Sequence, residues 1–421
     1  MKTLLYFEEM ECPLSKELFN RKDIELVILR TTKNLKFFSS EYLEATKDYN
    51  VFVADYNQDI KLEVSRFKEW CNERNIKITN FLNDSEYYLE YANNFARLFG
   101  LEALNEQQIK WVRDKVDMKE RFNQIGLDTV HFSPVENKED IIDFFNKHGR
   151  ERIIFKPRRG MNSIHTYIID SEEDIDNLPI EIKQNKYMVE TFCYDHEWSI
   201  ESIVQDGTVL DSYVTYIPNA TIWASISNNL NCHMTVPKIP NFFKFIPKEL
   251  IQKIVSGMDL KNGVMTIEVF IDNDGNVKPS ELGWRLPGCQ ATTNHGLSYG
   301  INIYDKLIDI MIGKKVELRY QDKIISVGDL YLPNKEGIVT KVTPLDELLE
   351  MDGVIRGQMF VKPGEYQEKR RVGNDASGWV QVAGIDENDT LCKMQNIFDS
   401  FEIETIKKEK SEGGKVYVKK N

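Results

Sequence analysis

Two glutamates and an arginine with the means to do chemistry lie close together in residues 264–288, VMTIEVFIDNDGNVKPSELGWRLPG. Glu268 stands in an apolar run, Glu281 in the run that returns, and Arg285 follows four residues after Glu281. A carboxylate among apolar side chains must be hydrogen-bonded, paired or metal-bound, since burying it alone costs on the order of several kcal/mol. Two carboxylates facing one another repel unless a cation lies between them. Asp274-Gly275 marks a tight turn between two strands, because glycine readily takes the positive φ such a turn needs. The alternation of a return strand over 277–285 puts Arg285 on the face of Glu281. The residues alone leave two readings open: a surface hairpin with solvated glutamates, or a divalent-metal and anion site.

Other stretches carry polar chemistry. In 155–163, FKPRRGMNS, Lys156 ends an apolar run and is followed by a turn with Gly160 and Ser163. Lysine charge and loop amides there could cradle phosphates, and a basic surface turn would look the same. From Glu197 to Val204 polar and apolar residues alternate, which sets Glu197, Ser199 and Glu201 on one face, toward water or a polar ligand. His196 reads as an edge histidine. Residues 212–240 read as an irregular polar loop with Trp223, Asn228, Asn229, Asn231 and His233. Loops of that length are often lids or binding loops.

The elements that must position these groups fall into three regions. Residues 1–104 alternate short β-prone runs (4–7, 25–29, 51–54, 76–81) with helices over 60–74 and 87–99, the last stopped by Gly100. That is the pattern of a small parallel sheet. Dinucleotide binding fails there: the first glycine of the chain is Gly100, and a pyrophosphate cannot approach a strand–helix turn without one. One helix is expected over 105–127, carrying Arg113, Asp114, Lys115 and Lys119 on a charged face that is ordinarily solvated. Strands and helices then alternate in a compact α+β unit over about 129–190. Helices at 247–258 and 301–312 flank the hairpin. Short strands dominate from 316 to 406, and a charged, mobile tail, 407–421, ends the chain.

Composition narrows the class. With 421 residues, 41% of them hydrophobic, and a formal charge of −13, the chain suits a multidomain globular protein and argues against non-specific nucleic-acid binding. No apolar run approaches the roughly 20 residues of a membrane span. The opening MKTLLYFEEMEC turns acidic at Glu8, too early for a signal peptide, and reads as a first strand. Six dispersed cysteines and six histidines without ligand spacing fit reduced thiols and a cytoplasmic protein.

The order of the motifs carries more than any one of them. A lysine-bearing helix, the Lys156 strand and loop, Glu190 with Glu197 seven residues on, then Glu268, Glu281 and Arg285 resemble the ATP-grasp superfamily over about 105–312. The resemblance implies an α/β and α+β ATP-grasp fold: an N-terminal βα domain over 1–104, the ATP-grasp domain over 105–315 with a lid at about 129–190, and a β-rich C-terminal domain over 316–406, as in the biotin-carboxylase-like branch. It implies that Lys115, after Asp114, and Lys156 contact the nucleotide phosphates, with Arg159 to Ser163, Gly160 among them, closing over the γ-phosphate. Glu190, Thr191, Phe192 and Cys193 would form the adenine hinge, and Glu197 the ribose contact. Glu268 and Glu281 would hold Mg2+, or Mn2+. Arg285 would stabilise the transferred phosphoryl group and, with His233, hold a carboxylate substrate.

Gly283 stands where many members have a metal-binding Asn, and Thr266 where relatives that join amino acids often have His. The run Glu281, Gly283, Arg285, Gly288 is similar to such amino-acid ligases. The implied reaction is ADP-forming: ATP converts a small carboxylate to an acyl phosphate, and an amine, or a carrier-protein thiol, attacks it. A bicarbonate-activating carboxylase and a non-catalytic nucleotide binder are the alternatives. No nucleic-acid or membrane partner is expected, and a homodimer is in keeping with similar proteins.

Overall fold

In the computed structural model the described residues are 1–179, 186–218, 229–237, 248–272, 274–369 and 375–407. Parallel strands Lys2–Phe7, Ile24–Thr31, Asn50–Ala54 and Asn80–Asn83 form the first sheet, with Lys2–Phe7 between Ile24–Thr31 and Asn80–Asn83. Helices Ile60–Glu73 and Leu89–Phe99 cover it, and Gly100 ends the second with φ +108°, a left-handed turn. Leu4, Tyr6 and Ile28 from this sheet share a core with Tyr299, Leu307 and Ile308, so the N-terminal region is packed onto the rest of the chain.

The region expected as one helix over 105–127 is two, Glu106–Arg113 and Lys115–Gln124. Asp114 breaks them. Its backbone is extended (φ −100°, ψ 113°) and its carboxylate accepts from the amides of Val116 and Asp117, capping the second helix. Arg158 from the adjoining unit donates to the same carboxylate at 2.8 Å. The break sets Lys115 at a helix start with Lys119 one turn on, on the same face.

A small antiparallel sheet follows, in the order Phe132–Val135, Tyr187–Thr191, Ile153–Pro157, Tyr167–Ile169, with helices Lys138–Lys147 and Glu172–Asp176 on a core of its own around Phe144, Phe145, Ile153 and Val189. The central sheet has eight antiparallel strands: Val277–Gly283, Gly263–Ile271, His196–Gln205, Thr208–Tyr216, Asn231–Val236, Ser326–Tyr331, Gly378–Gly384 and Val354–Met359. It runs without a break across residue 315, where a new β-rich region was expected. A three-stranded sheet of Tyr366–Gln367, Gly337–Val342 and Ile403–Ile406 lies beyond it.

Two further expectations are corrected here. Among the described residues of the polar stretch 212–240, those through Tyr216 and from Asn231 to Val236 are central-sheet strands and not loop, because their alternating hydroxyls and amides face the cleft while Val214, Cys232 and Met234 face the core. Trp223 and Asn228 lie outside the described residues. The return strand of the hairpin stops at Gly283, so Arg285 stands beyond it and not on a strand face. Helix Ala291–Tyr299 was not foreseen, since Thr292, Thr293 and Gly296 are weak helix formers and it is buried on several sides, leaving no amphipathic stripe. The tail from 408 lies outside the described residues. Among the described residues no helix is long and apolar enough to cross a membrane.

Candidate active site

One cleft of about 280 Å³ lies between the central sheet and the small antiparallel sheet. Lys115, Lys156, Gly160, Ser163, Glu190, Thr191, Phe192, Cys193, Glu197, His233, Thr266, Glu268, Glu281, Arg285 and Gly288 all line it. Gly283 does not border it. A Cβ on Gly283 would stand 3.6 Å from Cγ of Arg285, an ordinary contact, so space alone does not require glycine there.

The hairpin sets the centre. Glu268 and Glu281 are cross-strand partners, as the sequence suggested, and Glu268 pairs on its other side with Ser199. Burial, then the charges of Glu281 and Glu197, push the Glu268 carboxyl up to about 8. Lys115 Nζ reaches Glu281 Oε1 at 2.7 Å and donates to the Gly160 carbonyl at 3.1 Å, tying the hairpin to the loop of the small sheet. That loop lacks glycine density, yet Asn162, Ser163 and His165 take φ of 54°, 55° and 58°, the left-handed region glycine would normally fill. Thr266 donates its hydroxyl to the Arg285 carbonyl at 3.0 Å and so fixes the turn after the hairpin.

Lys119 is not on a solvated face. It is fully buried, 3.3 Å from Glu190 Oε2, and donates to the Ser280 carbonyl at 3.0 Å. Lys156 holds the other oxygen of Glu190 at 2.6 Å. Burial raises the Glu190 carboxyl, but Lys119 and Lys156 outweigh it and hold it at about 2. Glu190 therefore anchors two lysines with its side chain. The amides of Thr191 and Phe192 donate to the carbonyls of His131 and Arg152 at 2.9 and 3.1 Å, and Cys193 is the first residue past those bonds. The i, i+4 spacing of Lys115 and Lys119 was the signal that could have shown the buried lysine.

Arg285 reaches back to the N-terminal sheet. Its Nε lies 2.5 Å from Glu86 Oε2, and Arg113 holds Glu86 Oε1 at 2.7 Å. Asp84 accepts the Leu286 amide at 2.7 Å, and burial pushes its carboxyl up to about 7. Glu86 and Asp84 follow strand Asn80–Asn83, about 200 residues before Arg285, and no local pattern announces them.

At the other end Glu201, His233, Thr215 and Asn231 line the floor. Glu201 accepts from Ser199 at 2.6 Å and lies 2.7 Å from Nε2 of the buried His295. His233 Nδ1 lies 3.1 Å from Asp329 Oδ2; burial lowers its basicity, but Asp329 more than restores it and leaves it raised.

The donor set fits a hard divalent cation. Two opposed carboxylates carry charge that burial makes costly, and oxygen ligands of this kind suit Mg2+ with phosphate oxygens completing its shell. No family model matches the sequence. The chain is 20% identical over 283 residues, 65% of its length and 67% of the other, to an L-arginine-specific L-amino acid ligase of Bacillus subtilis. Its fold is similar to an L-amino acid ligase from Bacillus licheniformis (TM-score 0.73, 16% identity, 96% of this chain and 99% of that one). It is also similar to a carboxyaminoimidazole ribonucleotide synthase from Aspergillus clavatus in complex with ATP (TM-score 0.69, 13% identity, 94% and 97%).

Proposed function

We propose that this chain, which has the ATP-grasp fold, is an ADP-forming ligase that activates a small carboxylate and joins it to an amine. The observation that carries the reading is the opposed pair Glu268 and Glu281, with Lys115, Lys156 and Arg285 around it in a single cleft. In this reading residues 1–104 wall the cleft, 105–315 clasp the nucleotide and 316–406 close the substrate end. Glu268 and Glu281 would hold Mg2+, which supplies charge neutralisation at the phosphates. Lys115 and Lys156 neutralise the remaining phosphate charge, since phosphoryl transfer depends on positioning and electrostatics more than on covalent help. Gly160 to Ser163 cover the phosphates, Cys193 meets the adenine edge and Glu197 the ribose.

The carboxylate substrate lies between Arg285 and His233, with Thr266 and Gly288 along its path. Arg285 stabilises charge on the phosphoryl group as it moves to the substrate carboxylate; one such group is worth about 3 kcal/mol, on the order of a hundredfold in rate. The amine then attacks the acyl phosphate, phosphate leaves, and an amide forms. The L-arginine-specific relative favours amino acids as the substrate class, basic ones among them.

The test is ADP release with pooled carboxylic acids and hydroxylamine, which traps an acyl phosphate whatever the natural amine. An amino-acid pool should respond, and Glu281→Gln should lose at least about a hundredfold in rate. Turnover surviving that substitution would refute the metal assignment. The likeness to a carboxyaminoimidazole ribonucleotide synthase favours a second reading, bicarbonate activation. ADP release with bicarbonate alone, and with none of the acids, would select it.

A further inference from the structure

We propose that the substrate end of the cleft contains a second metal site, formed by His233, Cys289 and Asp329, for a thiophilic divalent cation such as zinc. The three side chains offer one nitrogen, one sulfur and one oxygen, all within 4.8 Å of one another. They come from separate elements. His233 and Asp329 are cross-strand partners on Asn231–Val236 and Ser326–Tyr331, and Cys289 lies in the turn before helix Ala291–Tyr299.

One edge of a coordination shell is already in place. His233 Nδ1 and Asp329 Oδ2 stand 3.1 Å apart. Two ligands at about 2.05 Å and a tetrahedral angle lie roughly 3.3 Å apart. Asp329 is wholly buried, and its second oxygen is held from behind: Asn294 Nδ2 donates to Oδ1 at 2.6 Å, and Gln381 Nε2 donates to Asn294 at 2.5 Å. Arg356 Nε donates in turn to Gln381 at 2.8 Å. Outer hydrogen bonds of this kind orient ligating carboxylates and leave the inner oxygen for the ion. Cys289 is exposed and takes φ +59°, a left-handed conformation that a non-glycine residue keeps only where its surroundings impose it. His233 and Cys289 both line the cleft, so the fourth coordination position opens onto it.

The donors sort cations between the two ends of one cleft. Glu268 and Glu281 are all-oxygen and suit magnesium. Imidazole, thiolate and carboxylate together suit zinc or cobalt and not magnesium. On binding, the thiol loses its proton to solvent as the sulfur–metal bond forms. Occupation engages His233, so zinc acts as an inhibitor that competes with the carboxylate substrate and not with ATP.

The experiment titrates the reduced, metal-stripped full chain with cobalt(II) alone. The expected result is a thiolate-to-cobalt charge-transfer band that saturates at one equivalent and is displaced by zinc. Cys289→Ser and Cys289→Ala should remove the band and weaken binding at least about 10-fold, while Glu281→Gln keeps both. An absent band, a band that survives Cys289→Ser, or one lost in Glu281→Gln overturns the proposal. Needing neither nucleotide nor substrate, this readout stands or falls independently of the ligase reading. If that reading holds, zinc at constant magnesium inhibits ADP release in the wild type and at least about 10-fold less strongly in Cys289→Ser.

Discussion

Lys119→Met tests the electrostatic frame of the cleft. In the wild type Glu190 lies between Lys156 at 2.6 Å and Lys119 at 3.3 Å, all three buried or nearly so. A carboxyl held at about 2 in place of its ordinary 4.5 stabilises the folded state by about 3 kcal/mol once ionised. The lysine does not share that gain: burial, its largest influence, lowers the Lys119 ammonium despite Glu190. The pair's net worth is therefore below the carboxyl's share. With Lys156 still in place, losing Lys119 should destabilise by about 2 kcal/mol, less than the roughly 3–5 of a buried charge left with no partner. The sign follows from a depressed carboxyl. Its stabilisation is present above about 4.5 and fades as pH falls toward 2; in Lys119→Met the fade should be smaller and finish at higher pH. Urea unfolding at pH 7 and a pH series of melting temperatures from 7 down to 3 measure both effects. Adding Glu190→Gln should recover much of the loss, because the partner carboxylate is then neutral. A single variant as stable as wild type, with the same acid limb, would refute the reasoning.

Other outcomes follow from the same geometry. Because burial and the charges of Glu281 and Glu197 raise the Glu268 carboxyl, magnesium–nucleotide binding should expel more protons at pH 7 than at pH 9, measured by calorimetry in buffers of different ionisation enthalpy, and Glu268→Gln should release fewer at pH 7. Glu86→Gln weakens the hold on Arg285 and should lower kcat/KM for the acid by about 10- to 100-fold while the KM for ATP stays within about twofold, read from initial rates. Gly328→Ala would set a Cβ 2.4 Å from the His233 carbonyl and 2.8 Å from Met234 Cβ, between two paired strands that cannot separate. It should cost about 1–3 kcal/mol in thermal or urea unfolding.

The sequence by itself determined the local pieces. Alternation and turn residues suffice to write the 264–288 hairpin, and a period of two makes Glu268 and Glu281 face each other once the turn is placed. The missing glycine before residue 100 argued against a dinucleotide site there without any coordinates. Motif order singled out Lys115, Lys156 and Glu190, which line one cleft.

Tertiary structure decided what those groups touch. Glu190 became the anchor of Lys119 and Lys156 because neighbouring strands of the small sheet and helix Lys115–Gln124 bring them within 3.3 Å, a distance no spacing along the chain encodes. Asp114 split one expected helix only because its side chain caps the second and is held by Arg158, 44 residues away. Arg285 owes its partner Glu86 to a strand end 199 residues earlier. The polar stretch around His233 looked like a loop because its face toward the cleft is polar and its face toward the core holds only a few apolar side chains. Local pattern is set by backbone period and sterics, whereas charge pairing depends on distance in space. The hairpin could therefore be read from the chain, and the frame that charges it could not.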